Sequence, residues 1–132
     1  MSRSTLENIL EGCTSKLRKI EYCLSGEPTM NKELPEFISL TKKKYPDVKN
    51  LVLSNTDLMR TKYGFGYLID LFDRGMDYIQ TDLYDQESKD WFIDECKKNK
   101  DILKDRGIQI FDYYKVPFNL YSYGKKIKTI FF

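Results

Sequence analysis

Four residues of this chain pair ligand-binding chemistry with a local setting that suits it: Gly26, Glu27, Asn55 and Asp82. Glu27 stands between a glycine and a proline in IEYCLSGEPTMNKELPEF (20–37), where a β-type run ends and a helix-like segment starts. Glycine lets backbone approach a ligand closely, proline fixes the turn, and the carboxylate offers acceptors to an ammonium group. Asn55 closes the apolar run NLVLSN (50–55), and Asp82 lies in DYIQTDLYD (77–85). If these runs are parallel strands, the three side chains arrive at one carboxyl edge, where α/β proteins bind ligands. The same residues have a plainer use. Glu27 can cap the helix that follows, and Asp57, Arg60, Asp82 and Asp85 can be solvated rim charge.

The side-chain inventory limits the chemistry. The chain has no histidine, hence neither the commonest general base nor the commonest metal ligand. Cys13, Cys23 and Cys96 are far apart and odd in number, without zinc-ligand or redox spacing. They are expected to be free buried thiols in a reducing compartment, with Cys13 on a helix and Cys23 in a strand layer. No catalytic residue and no metal ligand is assigned.

Positioning these residues requires a folded core. The 132 residues suit one domain, 1–132, and 41% hydrophobic with 32% charged residues is ordinary globular composition. Ten Tyr and eight Phe stand against one Trp, and alanine is absent. A net charge of +2 is too balanced to imply a nucleic-acid or anionic-membrane partner, and Lys42–Lys44 make only a weak RNA footprint. The polar N-terminus is not a secretory signal and no apolar run could span a bilayer, so a cytoplasmic location is expected.

The periodicity predicts a helix over 4–18 with Ser4 and Glu7 at capping-box spacing, then a strand over 20–25. Asn31 is expected to cap the next helix, with Leu34, Phe37, Ile38 and Leu40 inward, Lys42–Lys44 at its end and Pro46 stopping it. The strand at 50–55 reads as buried on both faces. A helix over 63–75 closes on Gly75, a strand covers 77–85, and a long helix over 86–105 carries Trp91, Phe92, Cys96, Ile102 and Leu103. A strand over 108–114 follows, and 118–132 reads as a hairpin turning near Gly124 and Lys125. Strands recurring about every 30 residues mark βαβ units. The expected fold is α/β: a partial (β/α) barrel-like sheet of about four parallel strands flanked by helices, with an N-terminal helix and a C-terminal β-hairpin.

This ordered series resembles the core of radical S-adenosylmethionine enzymes. In that family one strand ends in Gly-Gly-Glu-Pro, the next in Thr-Asn-Gly, and a "G-hydrophobic-D-x-I" run leads into a third. Here the places are taken by Ser25-Gly26-Glu27-Pro28, Ser54-Asn55-Thr56, and Gly75-Met76-Asp77-Tyr78-Ile79 leading to Asp82-Leu83-Tyr84-Asp85. The resemblance covers roughly 20–112. It implies that the Gly26-Glu27 segment receives the methionine amino group of S-adenosylmethionine, with Asn55 and Asp82 beside it. The family's Cys-x3-Cys-x2-Cys loop, which holds a [4Fe–4S] cluster, has no counterpart, so no cluster and no reductive cleavage are expected. The chain reads as a truncated, degenerate core, and Glu27 as the remnant of a cofactor site kept for turn geometry.

Such a scaffold works through its surface. The first expectation is a non-catalytic protein-binding inhibitor. Small lysine- and tyrosine-rich chains of this kind are similar to anti-CRISPR proteins, which implies an RNA-guided RNA nuclease (type VI effector) as partner. Tyr113, Tyr114, Phe118, Tyr121 and Tyr123 are the candidate contact residues. The alternatives are a residual S-adenosylmethionine-binding protein and one half of a split radical enzyme. A half-barrel also leaves a sheet edge through which the chain could form a homodimer.

Overall fold

A computed structural model describes residues 1–13, 17–23, 26–112 and 121–123, the backbone alone for 111–112 and 121–123. Helix α1 (Arg3–Gly12) precedes strand β1 (Lys19–Tyr22); then come a one-turn 3-10 helix (Pro28–Met30), α2 (Leu34–Lys44) and β2 (Lys49–Ser54). A π-turn (Met59–Tyr63) leads into α3 (Gly66–Asp73), β3 (Tyr78–Leu83), α4 (Gln86–Lys98), β4 (Gly107–Asp112) and β5 (Tyr121–Tyr123). The strands form one sheet in the order β1-β2-β3-β4-β5; the first four are parallel and β5 is antiparallel to β4. Sequential parallel order is that of a segment of a (β/α) barrel. The expected α/β class and four-stranded parallel sheet are therefore observed; 118–120 and 124–132 of the expected hairpin lie outside the described residues.

Register explains the core. Tyr22 pairs with Val52, Val52 with Ile79 and Ile79 with Ile108, so these four side chains share one face. All are buried, and they pack with Leu34, Phe37, Leu68, Leu71 and Phe92 of the helices. Helix α2 shows why it docks there: Leu34, Phe37, Ile38 and Thr41 fall at i, i+3, i+4 and i+7 and all are buried. Tyr22 fastens this contact, its hydroxyl donating to the Phe37 carbonyl at 3.2 Å and lying 2.8 Å from Thr41 Oγ1. The opposite face carries Glu21, Leu51 and Tyr78 in register, none of them buried. Strand β2 is thus buried on one face and half-buried on the other, not on both as its apolar run implied.

The element ends differ from the sequence reading for local reasons. Helix α1 is shorter than 4–18, and its cap is Ser2, which accepts from the Thr5 N–H; Glu7 instead pairs with Arg3. Asn31 does not cap α2. Its Oδ1 accepts from the Glu33 N–H at 3.0 Å in a turn before the helix, which starts with Pro35 in its first turn. The segment after β2 winds as a π-turn, which delays α3 to Gly66. Helix α4 ends at Lys98, and the following turns bury Leu103 while leaving Ile102 52% exposed.

The amino edge of the sheet is clamped by Asp77. Its carboxylate accepts from the Asn50 N–H at 3.0 Å and pairs with Lys42 at 2.8 Å and Lys49 at 2.9 Å. Gly75 makes the approach fit. Its φ is +107, and a Cβ there would lie 2.3 Å from Lys42 Cγ.

Candidate functional site

The loop between β1 and α2 is held by Glu27. It caps the 3-10 turn, where Oε1 accepts from the Thr29 N–H at 3.1 Å and the Thr29 hydroxyl at 2.6 Å. The same oxygen accepts from the Ser54 hydroxyl at 2.7 Å, and Oε2 accepts from the Asn55 N–H at 2.9 Å. One carboxylate therefore joins the end of β1 to the end of β2. The helix it caps is the 3-10 turn rather than α2, which corrects the sequence reading.

The end of β2 is shaped by this contact. The Ser54 hydroxyl accepts from the Thr56 N–H at 3.0 Å while donating to Glu27. Thr56 takes φ +64 although it is β-branched, in the place where the resembled family has glycine. It is buried at 0% exposure and its hydroxyl has no hydrogen-bond partner among the described residues. A β-branched residue is strained in this left-handed conformation. Asn55 turns its Oδ1 to the Asp57 N–H at 3.1 Å.

Gly26, Glu27, Asn55 and Asp82 line one cleft of about 280 Å³ at the carboxyl ends of β1 to β3. Cys23, Leu53, Ser54 and Tyr84 complete its wall. The first four were named as site residues from the sequence and the other four were not. Cys23 and Tyr84 directly follow strands β1 and β3, and that position was the available signal. Cys23 is half-exposed and so is Cys13 at the end of α1; Cys96 alone is buried, which corrects the expectation of three buried thiols. Burial pushes the Cys96 thiol up to about 12. Tyr67 of α3 is also raised to about 12, first by burial and then by the charges of neighbours that include Glu27.

Asp57 and Arg60 are not loose rim charge. Arg60 Nη1 meets Glu87 Oε1 at 2.6 Å, and the Ser88 hydroxyl lies 3.4 Å from Asp57 Oδ1. Together they tie the π-turn to the first turn of α4. Asp85 caps that helix, accepting from the Ser88 N–H at 2.7 Å, and this bond holds its carboxyl below the ordinary value. Tyr113, Tyr114 and Phe118 lie outside the described residues. Tyr121 and Tyr123 are described in backbone only, paired with Ile110 and Ile108.

Among the described residues no three His, Cys, Asp or Glu side chains gather as a metal site, and no helix is long and apolar enough to cross a membrane. An iron–sulfur cluster does not fit the cysteines present: one ends α1, one follows β1 and one is buried in α4.

No protein-family profile and no curated protein matches the chain. Among solved structures, the crystal structure of selenomethionine BtrN in an open conformation, a radical S-adenosylmethionine enzyme, matches with a TM-score of 0.58 at 18% identity. The match covers 68% of this chain and 41% of BtrN, less than half of that protein. At this identity the likeness speaks to fold alone, and the fold is radical-SAM-like.

Proposed function

We propose that this chain is a non-catalytic binding protein whose cleft takes the cationic methionyl end of S-adenosylmethionine or a related adenosyl metabolite. The observation that carries this reading is the convergence of Gly26, Glu27, Asn55 and Asp82 on one cleft at the strand ends. Glu27 Oε1 already accepts three hydrogen bonds, but Oε2 accepts one among the described residues and keeps capacity for an ammonium donor. Asp82 supplies a second carboxylate, and among the described residues no lysine or arginine lines the cleft. At about 280 Å³ the cleft sits at the lower end of ligand pockets, so it holds part of such a molecule and leaves the rest against its rim. Calorimetry tests this. Binding with a Kd of roughly 0.1–1 mM is expected, lost in Asp82→Asn while the melting temperature holds. No heat at millimolar ligand overturns it.

A second reading rests on exposed apolar residues near the same turns: Met30 is 71% and Tyr84 55% exposed. Large exposed side chains beside a cleft suit a protein partner. The chain would then be a stoichiometric inhibitor, with an RNA-guided RNA nuclease effector as the partner class. Co-elution with such an effector and loss of its RNA cleavage are the expected results. Failure of both in a panel of type VI effectors removes it. A brown complex formed on co-expression with a chain bearing a three-cysteine loop would instead support a split radical enzyme.

A further inference from the structure

We propose that the free edge of β1 pairs with the same edge of a second copy of this chain, antiparallel and with Ile20 on the twofold axis.

The two edges of the sheet are unequal. Beside β4 lies β5, whereas no strand among the described residues pairs with the outer side of β1. The Lys49 N–H donates to the Arg18 carbonyl at 2.9 Å, so the backbone groups of Arg18 point at β2. Because these groups alternate along a strand, those of Lys19 and Glu21 point outward. A partner strand is offered these two residues as its hydrogen-bonding positions.

Charge then selects the register. With Ile20 opposite its own copy, Lys19 faces the partner's Glu21 and Glu21 faces the partner's Lys19. Both pairs fall at positions that exchange N–H and C=O bonds. A shift of the axis by one residue either way sets Lys19 against Lys19 or Glu21 against Glu21, and like charges directly opposite are unfavourable. Within one chain the Lys19 ammonium already pairs with Glu21, and both side chains are exposed, at 55% and 41%. Pairing exchanges that contact for two across the axis. Half-buried Ile20 meets its copy on the helix-covered face of the sheet. Lysine on an edge strand usually deters pairing; here its alternation with glutamate makes the edge complementary to itself. Four residues bury little area, so the dimer is weak and forms at high concentration.

Sedimentation equilibrium of the full chain between about 10 μM and 1 mM tests this. The mass should rise toward twice the monomer. Glu21→Lys should weaken association by roughly tenfold. The double exchange Lys19→Glu with Glu21→Lys should restore it, and circular dichroism should be unchanged throughout because both positions are exposed. A monomer across the whole range overturns the proposal, as does association indifferent to Glu21→Lys or unrestored by the exchange.

Discussion

Glu27 is where structural and binding roles meet in a single side chain. Four donors converge on its carboxylate, from Thr29, Ser54 and Asn55. Removing it strands them, and unsatisfied donors cost more than the bonds themselves contribute. Glu27→Ala should therefore lower stability by about 2–3 kcal/mol in urea denaturation, whatever it does to ligand binding. The cysteines give an independent view of the same site. Cys96, at 0% exposure with its thiol raised to about 12, should resist alkylation at pH 8 until the protein unfolds. Cys13 and Cys23 should react in the native state, and an adenosyl ligand should slow the labelling of Cys23 alone, because only it lines the cleft. Equal protection of Cys13 and Cys23 would contradict that assignment. The glutamate was legible as a site residue because it stands between glycine and proline at a strand end; Thr56 was not, since nothing in its identity signals a left-handed backbone.

At the scale of elements, the strands and helices are placed by two clamps at opposite edges of the sheet. Asp77 holds the amino edge. Burial alone would raise its carboxyl, but the hydrogen bonds from Lys42, Lys49 and the Asn50 N–H outweigh that and leave it below its ordinary 3.8. A carboxyl lowered on folding stabilises the fold above its unfolded value, and this contribution is lost as pH falls through the folded value. Stability should therefore drop as the pH goes below 3.8, and Asp77→Asn should flatten that acid limb. Gly75→Ala attacks the same clamp, through a strained φ and a collision with Lys42, and should cost about 2–4 kcal/mol. A melting curve unchanged by this substitution would mean that the turn tolerates a side chain. Periodicity found every α-helix and strand of the parallel unit, because 3.6- and 2-residue patterns report a buried face directly. It missed where α1, α3 and α4 begin or end, because the Ser2 cap, the π-turn at Met59–Tyr63 and the turns after Lys98 are set by local hydrogen bonds that leave no periodic apolar pattern.

For the whole molecule, the sheet has one face under helices and one face half-open, with its ligand-binding candidates gathered at a single end. Tyr22 couples the covered face to pH. Burial raises its hydroxyl to about 12, so its contribution is complete below the ordinary 10.0 and lost as pH rises toward 12. An alkaline transition that begins above pH 10 and moves in Tyr22→Phe is the expected outcome. The radical-SAM-like fold was legible from an ordered series of strand endings rather than from any one motif. The cleft's size and the donors that occupy Glu27 were not, because they depend on how β1, β2 and the 3-10 turn meet in space.

The most direct measurement is a titration of the isotopically labelled full chain with S-adenosylmethionine, followed by amide chemical shifts. Cofactor binding at the cleft predicts saturable shifts concentrated at residues 26–29, 53–56 and 82–85, with the Asp77 clamp unmoved. Absence of shifts at millimolar ligand, or shifts centred elsewhere on the sheet, would contradict it.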